Sequence, residues 1–158
     1  QPLPISAGAW FDGATLVRLS GAPAALSAAR ARIGGDLVAE GDATAWWEGA
    51  RNHTNPFFAD AATLWRLSVP PAVPLAAIPG PLALEWSGAL RWHVTDLPAA
   101  EVRRLATAAG GTAMQWRGAT DGGMFHPLSP AVLSLHRKLK ERFDPRGIFN
   151  PGRLVAGL

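Results

Sequence analysis

The chain has 158 residues, 48% of them hydrophobic and 17% charged, with no cysteine and a formal net charge of +3. This excludes a disordered tail, whose low hydrophobicity would prevent collapse, and it excludes disulfides and thiolate metal sites. No apolar run approaches the ~20 residues of a membrane-spanning helix, so a soluble chain with one core is expected. The basic excess is local. Between His136 and Arg153, Arg137, Lys138, Lys140, Arg142, Arg146 and Arg153 stand against Glu141 and Asp144. A broad phosphate-binding surface is therefore not supported. The chain opens at Gln1 with neither Met nor a signal-peptide pattern, and a piece of a longer protein is expected.

Taken in order, Thr15–Ser20 alternates as a strand does. Pro23 suits a first helical position, and a helix follows until Gly34-Gly35, where glycine ends it cheaply. Asp36–Glu40 reads as the next strand. A helix is expected over Ala43–Asn55, containing Trp46, Trp47 and Arg51. Thr63–Val69 reads as a strand stopped by Pro70-Pro71, since proline cannot donate to a ladder. Leu82–Trp86 is another strand, turning at Ser87-Gly88-Ala89. Leu90–Thr95 is a strand, Pro98 opens a helix closed by Gly110-Gly111, and Thr112–Trp116 is the strand after it.

The two prolines lie 75 residues apart and the two glycine pairs 76. This pattern predicts an α+β fold built from duplicated strand–helix–strand units. The sheet is expected to be mainly antiparallel, with helices packed on one face. Ala119–Gly123 is expected to be a polar loop. Ser129 and Pro130 start a last helix with Val132, Leu135, Leu139 and Phe143 on one stripe. It stops before Asp144-Pro145 and leads into a Pro/Gly-punctuated tail, expected to be docked.

Residue chemistry alone goes less far. His53, His93, His126 and His136 show no metal-ligand spacing and no accompanying carboxylate cluster, so no metal site is expected. The Gly-Gly pairs follow helices, whereas phosphate-binding glycines precede them. Trp65-Arg66, Arg91-Trp92 and Trp116-Arg117 have two readings. Either arginine stems cover apolar surface, or the cations line a cavity for a carboxylate or a flavin edge.

The stretch Leu135–Arg153 contains Asp144-Pro-Arg-Gly-Ile-Phe-Asn-Pro-Gly-Arg153. It resembles the terminal motif of FAD-linked oxidases of the vanillyl-alcohol-oxidase type. Pro2–Ala7, Asn55–Phe58, Leu64–Pro70, Gly88–Trp92 and Phe125–Leu128 are similar to the E subunits of bacterial glycolate oxidases. The resemblance implies that residues 1–158 are a ferredoxin-like C-terminal cap domain over a flavin, with the N-terminal FAD-binding domain absent from this chain. It implies FAD in the longer subunit, though not in this fragment, which is expected to be inactive. It implies glycolate-to-glyoxylate oxidation by a complex with a second flavin subunit and an iron–sulfur subunit. The implied location is cytoplasmic, peripheral to the inner membrane through the complex.

Related 2-hydroxyacid dehydrogenases carry a His-x-Gly-Asp-Gly-Asn-x-His strand and a later Glu-His pair. Here the first reads Trp86 to His93, with Trp86 for the first histidine and Arg91 for the asparagine, and the second reads Trp116-Arg117. Indole and guanidinium cannot ligate a metal. The resemblance therefore implies no catalytic residue here. Asn150, Arg66 and Arg91 are the cofactor-facing candidates. Arg51, Trp86, Trp116 and Arg117 are the lining of a vestigial substrate pocket. The flavin would relay electrons while a partner subunit oxidises substrate. The alternative is a non-catalytic module docking the partner flavin or iron–sulfur subunit, with tryptophans such as Trp10, Trp46 and Trp47 as exposed anchors.

Overall fold

The structure is a computed structural model that describes residues 2–11, 13–119 and 123–154. Most of the loop expected at Ala119–Gly123 lies outside the described residues. Six strands form one sheet: β1 (Ile5–Phe11), β2 (Ala14–Leu19), β3 (Leu64–Ser68), β4 (Leu82–Glu85), β5 (Leu90–Val94) and β6 (Thr112–Arg117). Their order is β2-β1-β4-β5-β3-β6, and every neighbouring pair is antiparallel. The helices are α1 (Pro23–Ile33), α2 (Glu40–Asn52), the one-turn α3 (Pro56–Ala59), α4 (Ala99–Ala108) and α5 (Pro130–Phe143).

The α+β class and the antiparallel sheet agree with the sequence reading. The second repeat forms whole: β5, α4 and β6 follow one another, and β5 and β6 flank β3. Gly111 makes this closure possible, because a Cβ there would lie 2.1 Å from the Ser68 carbonyl oxygen.

The first repeat is only half built. Asp36–Glu40 is not a strand; residues 34–39 have no regular structure and α2 already begins at Glu40. The physical reason lies in the sheet order. In the second unit the returning strand sits on the far side of β3, an antiparallel neighbour of β5. The equivalent position beside β1, the partner of β2, is occupied by β4. Strand β1 itself is rich in Ala and Gly and lacks the alternation that marks a strand in sequence.

Helices cover both faces of the sheet rather than one. Successive strand residues point to opposite faces. On one face α3 places Phe58 against Leu64, Ala83 and Trp92, with Trp46 and Trp47 of α2 packed alongside. On the other, Val102 and Ala106 of α4 meet Trp65, Leu67 and Ala113. A six-stranded sheet with aromatic and aliphatic residues on alternate positions has two apolar faces to bury.

The tail is docked differently from the expectation. Helix α5 buries none of its residues. Val132, Leu135, Leu139 and Phe143 stay exposed, Phe143 by 80%. Residues 145–154 are likewise exposed and fold back only on the end of α5. Among the described residues, no helix is long and apolar enough to cross a membrane.

Candidate functional site

The face carrying α2 and α3 also carries most of the expected site residues. Arg66 lies on β3 between Trp92 of β5 and Met114 of β6. Strand β4 ends at Glu85, and Trp86 and Ser87 then adopt left-handed backbone at φ 51° and 56°, followed by Gly88 at φ 89°. Left-handed backbone costs a non-glycine residue roughly 1–2 kcal/mol. Here it holds an indole that is 69% exposed, with the Arg66 guanidinium 5.7 Å from its ring centre. Strain of this kind persists where surrounding structure imposes it, and it concentrates at functional sites.

A bulge supplies the next part. Leu64 pairs with Arg117 while Trp65 pairs with Gln115, so Trp116 is an extra residue on β6. Such an insertion re-aims side chains, and Trp116 and Arg117 both serve this face. Trp116, 47% exposed, packs edge-on to Trp92 and His53. Arg117 donates to the carbonyls of Phe58 (2.6 Å) and Ala61 (3.1 Å), fastening α3 to the sheet edge.

His53 caps α2 in left-handed conformation. Its ring lies 4.4 Å from Trp92 and 4.6 Å from Phe58. Sequence reasoning passed over it as a lone histidine. The only signal was its place between a helix and Asn55-Pro56, where a chain reversal is expected.

Arg51 is exposed on α2, 3.6 Å from Glu48. It shares with Trp86 an open cleft of about 890 Å³, also lined by Arg18, Trp47 and Glu85. Arg66, Trp86, Trp116 and Arg117 are therefore on one face, with Arg51 at its margin. Arg91 is not with them. It is 1% exposed on the opposite face, where its guanidinium donates to the carbonyls of Gly88, Pro74 and Val73. His93, the histidine retained from the dehydrogenase pattern, is also buried on that side, its Nδ1 3.1 Å from the Pro81 carbonyl. A carbonyl only accepts, so Nδ1 carries the proton and Nε2 is a lone pair. Asn150 is exposed in the tail at φ 46°, its carbonyl accepting from Arg153 N–H, as befits a turn residue. Among the described residues, no cluster of three or more His, Asp or Glu side chains could hold a metal.

Three imidazoles are held neutral. Burial lowers the pKa of His53, His93 and His126, aided by Arg117 at His53 and by Arg103 at His126. The unfolded chain then binds more protons than the folded one as pH falls below about 6.5. Their stabilisation is full above that value and is lost as pH falls through the lowered folded values. The melting temperature should drop on acidification from pH 7.5 to 5, and His93→Gln should flatten that slope. An unchanged slope in the variant would exclude His93 as a contributor.

Residues 124–154 match the family of FAD linked oxidases, C-terminal domain. All 158 residues align at 42% identity with glycolate oxidase subunit GlcE of Escherichia coli (strain K12). The chain is thus similar to FAD-linked oxidase C-terminal domains over residues 124–154. It spans 43% of that relative's length. No solved structure matches the chain. The residues present fit one end of an FAD. A half-buried guanidinium with no carboxylate pairing it among the described residues, beside two exposed indoles, suits the polar edge and flat face of an isoalloxazine. Among the described residues, no glycine-rich turn opening a helix offers itself to the diphosphate.

Proposed function

We propose that the chain is the flavin-covering half of an FAD-carrying subunit in a glycolate-oxidising complex. Glycolate is oxidised to glyoxylate on a partner flavin subunit. This subunit relays electrons toward an iron–sulfur subunit. The observation that carries the proposal is the face built by Arg66, strained Trp86 and bulged Trp116. The likeness to a glycolate oxidase subunit supplies the substrate class.

Bound flavin would supply the reversible uptake of electrons. Arg66 would place positive charge near its polar edge, where burial under the missing domain strengthens the field. Trp86 and Trp116 would exclude water from the ring. Arg117 holds α3 and thereby the His53–Trp92–Trp116 stack. Arg51 and Arg18, at the cleft's margin, could meet a carboxylate that enters there. Arg91 has no place in this reading beyond architecture. The bare stripe of α5 fits the same picture, since it is covered once the FAD-binding domain is present. Trp10, Trp46 and Trp47 are half-buried in or beside the core clusters, which favours the flavin-facing reading over a tryptophan-anchored docking module.

In the FAD-carrying longer protein, Arg66→Met should lower the flavin midpoint potential by about 30 mV, the two-electron equivalent of roughly 1.4 kcal/mol. Arg66→Lys should keep part of it. An unchanged potential and unchanged flavin retention in Arg66→Met would reject the assignment.

A further inference from the structure

Asp144 is buried on a segment where everything around it is exposed. Its Oδ1 accepts from the Ile148 N–H at 3.0 Å, and its Oδ2 accepts from the Phe149 N–H at 3.0 Å. Lys140, one turn earlier on α5, places its ammonium 2.6 Å from Oδ2 and also donates to the Phe149 carbonyl. The Asp144 carbonyl accepts from Gly147 N–H, which turns the chain at φ 63°. All these partners lie within ten residues of one another, and none belongs to the sheet or to α1–α4. The result is a closed loop whose apolar side chains point outward, with Ile148 58% and Phe149 62% exposed, and Asn150 beyond them in left-handed backbone.

We infer that Asp144 and Lys140 are positioning residues that build a preformed hook, setting Ile148, Phe149 and Asn150 in place before anything docks on them. The inference deepens the proposed function and rests on it for a flavin lying where Asn150, the candidate that the family resemblance implies, could reach it. A carboxylate satisfied by two backbone N–H groups and an ammonium makes charge-assisted hydrogen bonds, roughly twice as strong as neutral ones. Such a clasp orders a tail that otherwise has no core to hold it. A prearranged segment binds with less ordering cost than a loose one. The bond from Lys140 is also the first cause lowering the Asp144 pKa, with the Phe149 and Ile148 amides adding to it. The hook therefore survives acid until pH falls through that lowered value.

The test uses the ¹⁵N-labelled 158-residue chain. Exchange of the Ile148 and Phe149 amides should be slowed at least tenfold relative to an unstructured peptide. Asp144→Asn should abolish that protection. Lys140→Met should weaken it and move the pH midpoint of the two amide resonances upward, toward the ordinary Asp value; a residue acting only as packing would not shift that midpoint. Unprotected amides in the parent chain, or equal protection in Asp144→Asn, would overturn the hook. In the FAD-carrying longer protein, Asp144→Asn should weaken FAD binding about tenfold, with Asn150→Ala as reference. An effect of Asn150→Ala without one of Asp144→Asn overturns the positioning role. No effect of Asn150→Ala rejects the flavin contact itself, and the amide data then judge the hook alone.

Discussion

Arg91→Met should lower the chain's unfolding free energy by about 3 kcal/mol, whereas Arg66→Met should change it by no more than ~0.5 kcal/mol. The two arginines sit on adjacent strands, and sequence reading placed both toward the cofactor. Arg91 is enclosed and serves the loop between β3 and β4, which contains Pro70, Pro71 and Pro74. Proline has no N–H, so a proline-rich loop is short of donors for its own carbonyls. Arg91 supplies them to Val73 and Pro74, and to Gly88 at the strained turn. Its removal strands three acceptors, each worth about 1–3 kcal/mol when buried without a partner. Relief of a buried cation offsets part of this. Arg66, half-buried and stacked on an exposed indole, has little of that to lose. Urea unfolding of both variants measures the difference. Equal stabilities would mean that Arg91 does not hold the loop.

The legible parts of the fold were those with local chemistry. Pro23, Pro98 and Ser129-Pro130 marked helix starts, and the Ser129 hydroxyl accepts from Val132 N–H at 3.4 Å. The second repeat was readable because β5, α4 and β6 each bury an alternating or helical-period stripe. Asp36–Glu40 failed because a strand needs a free neighbour, and β4, from more than forty residues later, had taken it. That competition is invisible in a local window. Among site residues, Arg66, Trp86, Trp116 and Arg117 fell together because the strand period and the bulge on β6 aim them at one face. Arg91 went elsewhere by the same alternation: two positions that flank one strand pairing, Leu67 opposite Arg91 and Arg66 opposite Trp92, cannot both face one ligand. His53 was missed because its role comes from packing against Trp92, distant in sequence, together with nearby Phe58. The motif at Asp144–Arg153 was legible as a pattern, while its hydrogen-bond logic needed coordinates.

The central claim is that this subunit's flavin relays electrons and does not itself oxidise glycolate. Arg66, Trp86, Trp116 and Arg117 themselves offer no base for the substrate hydroxyl, and Glu48 in the neighbouring cleft lies 3.6 Å from Arg51. Glu85 is engaged by the Trp92 N–H at 3.1 Å. A proton taken up by His53 is opposed by burial and by Arg117, which makes it a weaker base than a free imidazole. The direct measurement is anaerobic addition of glycolate to the FAD-loaded full-length subunit, followed by flavin absorbance. The account predicts an unbleached flavin with the subunit alone and bleaching once the partner flavin subunit is added. Rapid bleaching by glycolate without the partner would contradict it.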